Sequence, residues 1–107
     1  MTTVSVRYEG ESIGSISVKD HADYAEYGHD IVCAAASVLI TTCANALETV
    51  AGVSPITHVN ESTAEIRVTL PKGLAPQQHH DAQIILRTTE QGFRDIAQQY
   101  PKNLKMI

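Results

Sequence analysis

The chain has 107 residues, 43% of them hydrophobic and 19% charged, with aromatics at 5% and no tryptophan. That is the length of a single domain, residues 1–107, with room for one modest core. A net charge of −4 argues against a nucleic-acid binder, which carries a basic stripe, and suits a neutral or basic partner.

No apolar run approaches the length of a membrane helix, so no membrane partner is expected. The opening "MTTVSVRYEG" lacks the charged-then-apolar layout of a signal peptide, which makes the cytoplasm the expected location. Cys33 and Cys43 are the only cysteines. On one helix they would sit about 15 Å apart, whereas a disulfide needs Cα atoms within about 7 Å. Free thiols and a reducing compartment follow.

Residues 2–9 alternate, with Val4, Val6 and Tyr8 on one face and Ser5 and Arg7 on the other, which predicts a half-buried strand. Gly10 and Glu11 turn the chain, and 12–19 returns as a second strand carrying Ile16 and Val18. Residues 20–29 have neither period. A loop of this length is long for a compact domain and points to function.

From Asp30 to Gly52 the sequence reads as a long helix, with Asp30 as N-cap and Gly52 followed by Pro55 as its exit. Its inner stripe is predicted to be Val32, Ala36, Leu39, Cys43, Leu47 and Val50. Residues 56–59, the turn "NES" and 63–70 predict a second hairpin, its buried face formed by Ala64, Ile66, Val68 and Leu70. After a linker at 71–76, a second helix over 77–99 presents Ala82, Ile85, Leu86, Thr89, Phe93, Ile96 and Ala97 inward. The tail "PKNLKMI" is basic and expected to be loose.

The fold class is therefore α+β: a two-layer sandwich in the order β-β-α-β-β-α, with a four-stranded, mainly antiparallel sheet and two helices covering one face. An uncovered face carrying residues like Tyr8 would be a dimer surface.

Chemistry concentrates in "KDHADYAEYGHDIVCAAAS", residues 19–37. With Asp30 as cap, Cys33 lies in the first helical turn, near unpaired N–H groups and the positive end of the helix dipole. Such a place suits a nucleophilic cysteine, although a free cysteine also packs well as a small hydrophobe. His21 lies on a loop that can fold back over the helix start, where an imidazole can take the thiol proton and return it to a leaving amine. The alternative is an ordinary surface histidine. His29, beside the cap, should face solvent.

Ser37 lies one turn beyond Cys33 and could line the same pocket, while Cys43 on the apolar stripe reads as an inert core thiol. No metal is expected, since no C-x-x-C or H-x-x-x-H pair exists. His79, His80 and Asp81 read as a solvated helix start, and His58 as structural. Asp20, Asp23, Glu26 and Asp30 either solvate the loop or form an electrostatic funnel for a cationic substrate, with Tyr24 and Tyr27 suited to a basic, partly apolar peptide.

This stretch resembles the signature of the ribosomal-processing cysteine proteases, the Prp or YsxB-like family. That pattern runs Gly-His-Ala, then Gly-x-Asp-Ile-Val-Cys-Ala-Ala and a serine. His21–Ala22, Gly28, Asp30–Ile31–Val32–Cys33–Ala34–Ala35 and Ser37 match it position by position, and length and element order extend the likeness over the chain. The resemblance implies a homodimeric cysteine endopeptidase that removes the N-terminal extension of a large-subunit ribosomal protein, without a cofactor. By carry-over Cys33 is the nucleophile and His21 the general base and acid. Gly28 would lie in a mobile lid, and Asp30 would orient His21 as well as cap the helix.

The implied mechanism is attack of the Cys33 thiolate on a peptide carbonyl, with N–H groups at the helix start stabilising the oxyanion. Asp20 departs from the pattern, standing where the family has glycine. Aspartate mostly cannot adopt the backbone angles open to glycine, and its carboxylate alters the charge balance beside His21. A reading from another class is a non-catalytic dimeric module that binds a basic ribosomal tail and needs neither Cys33 nor His21.

Overall fold

The structure, a computed structural model, describes residues 1–22, 24–26 and 29–107. The elements run β1 (Thr2–Glu9), β2 (Ser12–Lys19), α1 (Ile31–Thr49), β3 (Ile56–Asn60), β4 (Glu65–Thr69), α2 (Pro76–Gln99) and β5 (Leu104–Met106). The strands form one five-stranded sheet in the order β3-β4-β2-β1-β5. Neighbours are antiparallel except β1 and β5, which run parallel in the register Thr2↔Leu104 to Val4↔Met106.

The sheet is thus mixed and five-stranded, not four-stranded. The tail expected to be loose supplies the fifth strand, with Leu104 buried. Leu104 is shielded by a long-range pairing that a three-residue strand with a lysine at its centre does not announce. Its neighbour Ile107 adds a backbone bond from its N–H to Val4 O at 2.9 Å.

Registered pairs set the core. Val4 stands opposite Val18, and Val18 opposite Ile66; Ile16 lies between Val6 and Val68. Val4, Ile16, Val18 and Val68 join one apolar cluster with Val32, Ala36, Ile40 and Leu47 of α1 and Ala82, Leu86 and Phe93 of α2. The stripe of α1 contains Ile40 where Leu39 was predicted, and Val50 is exposed because the helix has ended at Thr49. Leu39 is half-buried and faces α2, where Gly92 lets the helices approach: a Cβ there would meet Leu39 Cδ2 at 2.6 Å. By length and composition alone α1 is apolar enough to cross a membrane, contrary to expectation. Here five of its side chains are buried.

On α2, Ala82, Leu86, Thr89 and Phe93 are buried, with Ile85, Ile96 and Ala97 packed against the core. Pro76 opens the helix, its fixed φ suited to the first turn. The Gln78 side chain accepts from Ala75 N–H at 3.1 Å, half of a capping box, since alanine has no acceptor to complete it. Glu90 is buried too, and the Tyr8 hydroxyl donates to its carboxylate. Tyr8 therefore reaches toward α2 rather than out from the uncovered sheet face, with 48% of its surface still exposed. That hydrogen bond, then burial and the charge of Glu90, push the Tyr8 hydroxyl up. The β1–β2 register slips between Arg7 and Tyr8. There the Gln83 amide satisfies both backbone groups of Ile13, accepting from its N–H at 2.7 Å and donating to its carbonyl at 2.9 Å.

Candidate active site

Asp30 starts the site. Its extended backbone (φ −84°, ψ 101°) places the carboxylate over the first turn of α1, accepting from Cys33 N–H at 2.9 Å. The other oxygen accepts from Tyr24 N–H at 3.0 Å, so one side chain ties the loop to the helix start. Burial tends to raise its carboxyl, but the N–H groups of Cys33, Tyr24, Ala25 and Val32 outweigh that and hold it below its ordinary value. One of the first-turn donors expected to serve an oxyanion, that of Cys33, is consequently already engaged with Asp30.

The chain leaves β2 through Asp20, whose φ of 67° is the left-handed conformation that favours glycine. Aspartate has taken the angle expected of the family glycine. The turn brings His21 back over α1, with Nδ1 3.9 Å from Cys33 Sγ. His21 is exposed and Cys33 half-buried, while Ala22 between the loop and the core is fully buried. A separation of 3.9 Å is longer than a formed proton-transfer bond, as is common before substrate binding tightens such pairs.

Cys33 and His21 open on a cleft of about 280 Å³. Its inner surface is mostly apolar, from Val18, Ala36, Ile40, Val59 and Ile66, with Ser37 beside Cys33. Asp20, Glu61 and Glu65 add carboxylates, the last paired with Arg67 at 3.1 Å. The β3–β4 hairpin forms the far wall, which sequence reasoning did not assign to the site. The acids Glu61 and Glu65 flank the hairpin turn, but nothing local ties that turn to residues 21–37.

The remaining residues fall elsewhere. Cys43 is 1% exposed; burial pushes its thiol up, partly offset by a hydrogen bond with Thr89. Both cysteines are free. His29, His79 and His80 are exposed, and so is His58, read as structural from sequence but standing on the edge strand β3 opposite Arg67. Glu26 is exposed on the loop. Gly28, with its lid assignment, and Asp23 and Tyr27 of the acidic loop lie outside the described residues.

A thiol and an imidazole at the head of a helix, at the mouth of a mostly apolar cleft, can perform nucleophilic acyl transfer. The sequence model of the cysteine protease Prp family matches residues 1–105. The chain is 27% identical over 100 residues to the ribosomal processing cysteine protease Prp of Bacillus subtilis, covering 94% of this chain and 89% of that one. It is 27% identical over 107 residues to the protein of that name from Staphylococcus aureus, covering 99% and 97%. In structure it resembles the S. aureus protease solved with a covalently linked product peptide, at TM-score 0.86 and 26% identity over 99% of this chain and 97% of that one. It also resembles that protease with a substrate peptide, at TM-score 0.82 and 25% identity over 100% and 98%. The chain belongs to the cysteine protease Prp family.

Proposed function

We propose that this protein is a cytoplasmic endopeptidase that removes the N-terminal extension of a bacterial large-subunit ribosomal protein, with Cys33 as nucleophile and His21 as proton carrier. The observation that carries the reading is the approach of His21 Nδ1 to Cys33 Sγ, 3.9 Å apart at the open mouth of the cleft.

His21 takes the thiol proton and Cys33 Sγ attacks the scissile carbonyl, forming a tetrahedral species. Its oxygen develops negative charge near the N-terminal end of α1, where the helix dipole favours an anion. The protonated imidazole then gives its proton to the departing amine, and water hydrolyses the thioester. The apolar inner surface suits uncharged side chains next to the cut. The carboxylates of Asp20, Glu61 and Glu65 suit the basic segment that follows in a ribosomal protein.

We also propose that the protein acts as a homodimer. The outer side of α1 exposes Ile31 at 53% and Val38 at 65%, and the only charge on that helix is Glu48 near its end.

A synthetic peptide spanning the extension junction, incubated with wild type, Cys33→Ala and His21→Ala and followed by mass spectrometry, tests the reading. One cut made by wild type alone supports it. Full cleavage by Cys33→Ala would end it, and binding without any cut would favour the non-catalytic module.

A further inference from the structure

We propose that Thr2 and Asn103 are positioning residues for His21, holding the imidazole toward Cys33 by fixing the carbonyls of the residues before and after it; this rests on the protease reading above. Among the described residues the only polar contact of the His21 ring is the 3.9 Å approach to Cys33 Sγ, and the residue is exposed. Its aim must therefore come from its backbone.

Both flanking carbonyls are held by side chains. Thr2 Oγ1 donates to the Asp20 carbonyl at 3.0 Å, and Asn103 Nδ2 donates to the Ala22 carbonyl at 3.1 Å. These donors come from opposite ends of the chain and are themselves joined, Thr2 N–H donating to the Asn103 carbonyl at 2.9 Å. Thr2 is 1% exposed and Ala22 fully buried, so the brace is set into the core rather than laid over the surface. The lead-in to β5 thus has two duties: it docks the tail beside β1 and it clamps the histidine loop.

With those two carbonyls held, the backbone carrying His21 is restrained at both ends, and the aim of the ring is left mainly to its two side-chain torsions. An error of about 1 Å in a catalytic group costs on the order of 100-fold in rate. Loss of either donor leaves the imidazole present but less often aimed at Cys33.

The test compares wild type with Thr2→Val, Thr2→Ser, Asn103→Ala and His21→Ala in two assays. In junction-peptide cleavage, Thr2→Val and Asn103→Ala should lose about 10- to 100-fold in kcat with KM within about twofold. Thr2→Ser, which keeps the hydroxyl, should be restored to near wild type. In the second assay, the pH profile of iodoacetamide alkylation at Cys33 should shift in Thr2→Val and Asn103→Ala toward that of His21→Ala, while Thr2→Ser overlays wild type. Circular dichroism and thermal melts identify any variant that fails to fold, and the other donor's variant then decides.

Wild-type kcat and an unchanged alkylation profile in a folded Asn103→Ala or Thr2→Val would overturn the proposal. So would losses that track the unfolded fraction alone. If wild type cuts no peptide, the protease reading fails, and the alkylation profiles still decide whether these residues position His21.

Discussion

Replacing Asp20 by glycine and, separately, by alanine isolates the backbone strain at the entry to the histidine loop. Both changes remove the carboxylate, so they differ only in whether a Cβ must be accommodated at φ 67°. A left-handed residue with a Cβ costs roughly 1–2 kcal/mol relative to glycine. Glycine gives back about 0.4–1 kcal/mol through the greater freedom of its unfolded chain. Asp20 is exposed, so packing adds little. The glycine variant should therefore be more stable than the alanine variant by about 1 kcal/mol, which for a domain of this size is a Tm difference of roughly 4 °C. Wild type should fall between them, since aspartate tolerates this region better than alanine. Thermal melts followed by circular dichroism, with urea titrations as a second measure, read the difference. An alanine variant as stable as the glycine variant would mean that Asp20 is not left-handed, and the placement of His21 derived from that turn would be wrong.

Truncating the core contact of the last strand by Leu104→Ala should cost about 2–5 kcal/mol in urea unfolding, as for a buried leucine; a loose tail would show no effect. Asp30→Ala should cost about 1 kcal/mol through loss of the cap. Because the Asp30 carboxyl is lowered in the folded state, its contribution is fully present above the ordinary value of 3.8 and is lost as pH falls through the folded value. Wild type and Asp30→Ala should thus converge in stability in strong acid, read by melts across that range. Iodoacetamide followed by peptide mapping should modify Cys33 in the folded protein while Cys43, 1% exposed, reacts only on unfolding.

The parts of the fold visible in the sequence are those encoded locally. The strands at 2–9 and 12–19 come directly from two-residue alternation across a turn, and both appear with those bounds as β1 and β2. The start of α1 is legible because Asp30 is a capping residue set before an apolar run. Leu39 and Ile40 are less separable. Adjacent positions satisfy spacings of three and four equally, and only the approach of α2 at Gly92 decides which faces the sheet.

The strand at Leu104–Met106 depends on a parallel pairing with residues about a hundred positions earlier, and three residues hold no period. The same distance problem hides the far wall of the cleft. Val59, Glu61 and Ile66 reach it through the β2–β4 pairing, which no spacing near Cys33 encodes. The left-handed turn at Asp20 was hidden for another reason. Aspartate is an unusual occupant of that conformation, and the residue type argued against the angle the chain adopts.

The most direct test of the account is intact-protein mass spectrometry after a rapid acid quench of wild type mixed with the junction peptide. The account predicts a transient mass increase equal to the N-terminal fragment of the peptide, held as a thioester and mapped to Cys33, with His21→Ala accumulating far less of it. Cleavage with no adduct on Cys33, or an adduct at Cys43 instead, would contradict it.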